Sequence, residues 1–530
     1  MYNCIRTSVI FLLSLSFIFT FSTSLHANDL TVSNVSLGDR NPSADTVVIE
    51  FDVAWNNSWK TKINHDAAWL TVRLYDPTVV PTDKKLCQMT VSGLNPAGTS
   101  NGSNSAVEIY VPEDKYGAFL RPSSFGLTSS LSSSSVQLTI DYTSCGFEDE
   151  DHVYVNVMGI EMVYIPQGAF YAGDYDTSTA SLHEGSSDSD PWYISSESTI
   201  AVTNATSNGY RYVSAGNAGE DSTGTAFTIP ASFPKGYDAF YTMKYEITEG
   251  QWIEFINSLG SGEARNQHDI TDGEHKNTDT VQYRNTVSCS GSPLICSTER
   301  PARVLGYISW MDLAAFLDWA ALRPMTELEY EKMARGPLLA IEGEFAWGGT
   351  DITAATTISA GIEDGTETIT NTGANVHYDN QSLSGGDTGS GSDYQQGPLR
   401  VGIFATSTSD RENAGAGYYG VMDLAGNVRE RVVTIGNSTG RSFEGTQGDG
   451  ILSTASGYEG NADESDWAGI DAIVERGVTG ADGSGFKGGA WDDEVSGARL
   501  RISDRHTAAY TSSGSFNNAG GRGVRTYDGD

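Results

Sequence analysis

The rhythm of hydrophobic and polar positions changes twice along the chain. Residues 9–21, VIFLLSLSFIFTF, are an apolar run that follows Arg6 and precedes small and polar residues ending in Leu25-His26-Ala27. The run is about 13 residues long, short of the roughly 20 that a membrane-crossing helix needs. Residues 1–27 are therefore predicted to be a secretory signal peptide cut near Ala27–Asn28. No later stretch is apolar enough to cross a bilayer. The expectation is an exported chain without a transmembrane segment: secreted, periplasmic or held at a cell surface.

From residue 28 to 158 the period is two. The segments TVVIEFDVAW (46–55), AAWLTVRLYD (67–76), SAVEIYV (105–111), VQLTIDYT (136–143) and HVYVNVM (152–158) alternate, carry β-branched residues and are separated by Asn, Gly and Ser turns. This predicts an all-β domain, an immunoglobulin-like sandwich in general architecture. Residues 159–530 mix short helices, short strands and long polar inserts, which makes the expected fold class α+β.

Three helix starts are legible as capping boxes, in which a hydroxyl accepts from the third helical amide and that residue's side chain reaches back. They are Thr248 with Gln251, Ser309 with Asp312 and Thr326 with Glu329, and each precedes apolar residues spaced for one helix face. The segments near 174–230, 258–300, 350–372 and 434–485 are too long for ordinary connections and too polar for a core, so they are expected to be surface loops.

Composition narrows the function. The 530 residues hold 32 Lys+Arg against 68 Asp+Glu, a net charge of −36. Such a chain repels phosphate backbones, so nucleic acid is excluded as a partner. Aromatic residues at 10% exclude a disordered acidic tail, and 59 Gly with only 19% charged residues favours long polar loops. Cys4 lies inside the predicted signal. The other four cysteines allow three pairings; in an exported chain the spacing favours disulfides Cys87–Cys145 and Cys289–Cys296.

Several literal motifs fail on context. Gly415, Gly417 and Gly420 spell G-x-G-x-x-G but follow SDRENA and no strand, and Gly436, Ser438 and Gly440 spell G-x-S-x-G without the helix that a nucleophile elbow requires. No two histidines are spaced for a helical metal site.

Seven ordered blocks remain: MVYIPQGAFYAGD (162–174), MKYEITEGQWIEFIN (243–257), RPARVLGYISWMDLAAFLDWAALRPMTELEYEKMARG (300–336), FAWGG (345–349), GYYGVMDLAGNVRE (417–430), FKGGAWDDEVSGARLR (486–501) and GGRGVRT (520–526). Together they resemble the formylglycine-generating enzyme, or sulfatase-modifying factor, family. The resemblance implies a C-type-lectin-like fold with little regular secondary structure over 159–530. It also implies two copper-binding cysteines in the block that begins at Gly488-Gly489, and those positions are Asp493 and Ala498. A carboxylate and a methyl group cannot replace soft thiolates around copper(I), so copper is not expected.

The resemblance further implies structural calcium. The pattern D/N-x-x-G-x-x-x-E falls on Asp423, Gly426, Val428 and Glu430, and a second set on Asn375, Val376, Asp393 and Gln395. Side-chain and carbonyl oxygens of this kind suit a hard cation. Where the family has an aromatic residue on either side of the glutamate, this chain has Arg429 and Arg431. Arg499, Arg501, Arg505 and Arg525 are expected to pair with internal carboxylates such as Asp492, Asp493 and Asp504. The function expected is non-catalytic recognition of a protein or glycan on the lectin-like face; the alternative is a formylglycine-generating oxidase acting on protein cysteine.

Overall fold

A computed structural model describes residues 30–175, 180–185, 190–203, 209–221, 226–272, 283–360, 363–386, 395–493 and 498–529. The signal peptide predicted over 1–27 lies outside the described residues. Among them no helix is long and apolar enough to cross a membrane.

The strand Tyr154–Ile165 joins the molecule. It pairs antiparallel with Asp66–Tyr75 from Tyr154↔Tyr75 to Val163↔Asp66, and Met162 to Ile165 pair on its other edge with Phe240–Met243. The position 158/159, where the change of rhythm divides the sequence, thus falls inside one strand. The sheet built on it runs in the order Arg323–Pro324, Gly523–Thr526, Phe240–Met243, Tyr154–Ile165, Asp66–Tyr75, Ala118–Pro122, Val107–Val111, Gly93–Leu94. A second sheet, ordered Thr31–Asn41, Thr46–Lys60, Gly126–Asp141, Gln88–Met89, packs on its N-terminal half.

Alternation in Asp66–Tyr75 explains how one strand serves two cores. Ala68, Leu70, Val72 and Leu74 meet Ile49, Phe51, Val136 and Leu138 between the two sheets. Ala67 and Trp69 face the other way, into a core shared with Trp252, Phe316 and Trp319 of the helices. The Trp69 indole N–H donates to the Ala320 carbonyl at 2.9 Å. The guanidinium of Arg73 lies 4.0 Å over the Trp319 ring, where burial lowers its pKa to about 9. A strand covered on both faces reads as nearly continuous burial, and nine of its ten residues are buried.

All three capping boxes are present, opening the helices Glu249–Ser258, Trp310–Trp319 and Glu327–Arg335. Trp310–Trp319 is buried at every position, because it lies between the sheet and the loops that cover it. The molecule is mostly sheet with few helices, the texture that the family resemblance implies.

The polar inserts correct one expectation. They contribute to the core: Trp192, Ile194 and Ile229 from 174–230, and Phe443, Trp467 and Val478 from 434–485, are buried in the central cluster. Their apolar residues are too sparse for any periodic pattern, yet each large ring fills a site that a regular element leaves open. The Trp467 and Trp192 indoles also spend their N–H groups on the carbonyls of Thr446 and His183 at 3.0 Å each.

Both disulfides favoured by spacing are formed. Cys87–Cys145 closes a separation of 58 residues and Cys289–Cys296 one of 7. Loop-closure entropy then assigns about 4 kcal/mol to the first and about 2 kcal/mol to the second. Replacing the first pair by alanine is expected to lower the denaturant midpoint more than replacing the second; equal losses in urea titrations would refute this ranking.

Candidate functional site

A three-stranded sheet carries the turn that begins at Gly488-Gly489: Ser484–Lys487 and Ala519–Gly520 flank Arg429–Val433. After Lys487 the chain turns through Gly488 and Gly489 at φ of 88° and 64°. A Cβ on Gly488 would stand 2.7 Å from the Leu424 carbonyl oxygen, so glycine is required there. Ala490 and Trp491 are then buried, and the Trp491 ring packs 5.1 Å from Tyr283.

Asp493 folds back on this turn. Its Oδ2 accepts the Ala490 amide at 2.8 Å, and its Oδ1 accepts from Arg499 at 3.0 Å, with Arg429 at 4.0 Å. Ala498 is half-buried and opens the short 3-10 turn Ala498–Leu500. The described cysteines are all disulfide-bonded, so none of them is a free thiol.

Beside the first predicted oxygen set stands a further buried acid, Glu246, that sequence reasoning missed. Glu430 is fully buried and is forked by Arg522 at 2.6 and 2.7 Å. Glu246, also fully buried, accepts from the Asn427 side chain at 3.1 Å and the Val428 amide at 3.3 Å. Asp423 accepts the Gly402 amide at 2.6 Å. The intervening turn is tight: Asp423, Gly426 and Asn427 all have left-handed φ, and a Cβ on Gly426 would stand 2.4 Å from the His377 carbonyl oxygen.

Three carboxylates thus gather around Arg522, and Arg400 also acts on Asp423. Burial pushes the Asp423 carboxyl up to about 6. Burial, then the charges of Glu430 and Asp423, hold Glu246 well above the ordinary carboxylate range. Protonation relieves the mutual repulsion of such buried acids. The acid in MKYEITEGQW and the arginine in GGRGVRT lie far apart in the sequence, and only the fold brings Glu246 and Arg522 together.

The second set is used differently. Asn375 Oδ1 accepts the Thr353 amide at 3.0 Å, the Val376 carbonyl accepts Ala355 at 2.8 Å and the Gln395 carbonyl accepts Leu383 at 2.9 Å. Asp393 lies outside the described residues.

The arginines are structural forks, with partners partly other than those expected. Arg499 pairs with Asp493, but Arg505 takes Glu327 and Arg525 takes Asp114 of the N-terminal half. Arg431, in the family's aromatic position, lies 4.5 Å over Phe486 and donates to the carbonyls of Ile308, Ser512 and Gly514. At the G-x-S-x-G segment the chain does form a helix, contrary to expectation, but only the single turn Ser438–Arg441, capped by Asn437.

A second acidic group also escaped the sequence. One carboxylate oxygen from each of Asp318, Asp449 and Glu464 lies within 4.8 Å of the others. Burial and then mutual repulsion raise Glu464 to about 8, and burial followed by Asp449 raises the adjacent Asp463 to about 6. A carboxyl raised in the folded state stabilises it while protonated and loses that contribution as pH climbs from the ordinary value near 4 through the folded one. In chelator, the melting temperature is expected to fall from pH 5.5 to 8.5. Glu464→Gln is expected to recover on the order of 1 kcal/mol at the alkaline end after solvent screening; an unchanged pH profile in differential scanning calorimetry would rule this out.

No curated protein matches the chain. Residues 155–526 match the sulfatase-modifying factor enzyme 1-like domain, a span that begins within the joining strand and ends on the strand Gly523–Thr526. The chain belongs to the sulfatase-modifying factor family.

Proposed function

We propose that the chain is an exported, non-catalytic member of this family, in which an immunoglobulin-like sandwich supports a lectin-like domain that recognises a protein or glycan. The supporting observation is the condition of Asp493. Both its oxygens are committed within its own turn, to the Ala490 amide and to Arg499. A carboxylate held this way anchors a loop, and neither it nor Ala498 offers the soft sulfur that copper(I) chemistry requires. The signal-like residues 1–27 and the two disulfides support export.

Calcium belongs to the same reading. Asp423, Gly426, Val428 and Glu430 would hold it, with Glu246 adding charge, and Glu430 would have to release part of its fork with Arg522 to do so. For the set at Asn375, Val376, Asp393 and Gln395 the support is the carboxyl of Asp393, since the other oxygens already accept loop amides.

Two measurements test the proposal. The full chain incubated with copper and a Cys-x-Pro-x-Arg peptide is expected to leave the thiol intact by mass spectrometry; aldehyde formation would restore the oxidase. Calcium at about 100 times its dissociation constant is expected to add about 2.7 kcal/mol of stability over EDTA, seen as a rise in melting temperature. Asp423→Asn is expected to lose most of that rise, and an equal rise in this variant would remove calcium from the site.

A further inference from the structure

Away from the Asp493 turn, a cleft of about 780 Å³ opens between the sandwich and the family domain. Its volume falls in the range of small-ligand sites, roughly 300–1,000 Å³. One wall is the paired residues Trp59 and Leu127 of adjacent strands. The other is the turn-rich segment 400–422, and Lys244 contributes to the lining.

The chain has a net charge of −36, yet three cations reach this cleft: Lys244, Arg400 and Arg411. Lys244 is balanced by Glu161 at 3.3 Å and Arg400 by Glu367 at 3.7 Å. Arg411 has no carboxylate within ion-pair distance among the described residues. Its donors go to three carbonyls, of Ala334 at 2.9 Å, Ala346 at 2.7 Å and Ala416 at 3.3 Å. The guanidinium is therefore held in place with no ion pair, Glu344 acting on its charge only at longer range, and with Nε and Nη2 spent on carbonyls it has Nη1 left to meet an anionic group.

The surroundings suit a sugar more than a peptide side chain. Trp59 is half-buried beside Gly420, whose Cβ would come within 3.3 Å of the ring, and Tyr418 lies 5.6 Å beneath Arg411. Lys244 lies 5.2 Å over the Trp59 ring, so the part of the ring left to the cleft is what the C–H face of a pyranose would meet. Thr406 and Ser407 put exposed hydroxyl-bearing residues on the lip. The walls offer a flat ring, hydroxyls and the Arg411 guanidinium, while the one carboxylate in the lining, Asp410, is engaged by the Asn413 amide and side chain at 2.9 and 2.8 Å.

We infer that this cleft binds an anionic saccharide, with its carboxylate or sulfate on Arg411 and a sugar ring against Trp59. The inference rests on the recognition reading above and gives it a place and a ligand class, separate from the last block.

Titration calorimetry on the full chain tests it with four probes: tetragalacturonate, a heparin tetrasaccharide, neutral maltotetraose and hexaglutamate. At least one of the two anionic saccharides is expected to bind, the one that does so identifying carboxylate or sulfate as the preferred group, while maltotetraose and hexaglutamate do not. Arg411→Gln and Trp59→Ala are each expected to weaken binding about tenfold, equivalent to about 1.4 kcal/mol. Because Arg411 also ties loops together, Ser407→Trp on the exposed lip serves as a second variant that fills the cleft and leaves those bonds intact. Binding of maltotetraose or hexaglutamate as tight as that of the anionic saccharides overturns the inference, as does anionic binding that survives Ser407→Trp. A ligand bound elsewhere and indifferent to these variants removes the cleft and keeps the recognition reading. Silence from all four probes overturns the cleft, and silence from broader protein and glycan screens overturns the recognition reading as well.

Discussion

The rest of the molecule depends on the burial of Asp66–Tyr75 on both of its faces. Its register against Tyr154–Ile165 decides which side chains enter which core. A slip of one residue would drive Arg73 and Thr71 between the two sandwich sheets and turn Leu70 and Val72 toward the helices. Nothing in the sandwich interior could satisfy that guanidinium, so the register is fixed by the cost of the alternative. The loops of the family domain therefore stand on a base that cannot shift without breaking two cores at once.

Above that base the chain has little regular structure, and ionic side chains do much of what a helix or sheet ladder does elsewhere. Arg505 on Glu327, Arg335 on Glu344 and Arg522 on Glu430 are all buried pairs that tie segments far apart in sequence. Arg411 and Arg431 do the same with carbonyl oxygens. Burying such pairs gains little net stability, because desolvation offsets the attraction. Their value lies in geometry, since each fork accepts only one arrangement of the loops it joins. Where acids outnumber their partners, as at Glu246, Asp423 and Glu430, the excess charge marks a place that can respond to protons.

The sequence disclosed what is local. The alternating strands, the three capping boxes and the short cysteine spacing each depend on neighbours within a few residues, and each is found where expected. The strands Thr31–Asn41 and Ala118–Pro122 were less legible: the first is largely exposed and polar, and the second is short. Trp192 and Trp467 stood in segments that read as loops, because a single ring in a polar stretch carries no period. Of the candidate centre, Asp423 and Glu430 were legible through a spaced pattern. Glu246, Arg522 and the Asp318 cluster were not, since their meeting is made by the fold and by nothing in their separate sequence neighbourhoods. The partners of Arg505 and Arg525 illustrate the same limit: adjacent aspartates looked available, and the chain used distant carboxylates instead.

The joining strand has a consequence for how such a protein can change over generations. A domain hung on a flexible linker can be cut out and placed beside new neighbours. This one cannot: removal of the sandwich would strip Asp66–Tyr75 from Tyr154–Ile165 and leave a long apolar edge of unpaired amides and carbonyls, a surface prone to self-association. The two halves are therefore bound to be inherited together, and new specificity has to come from the loops and from the cleft they share.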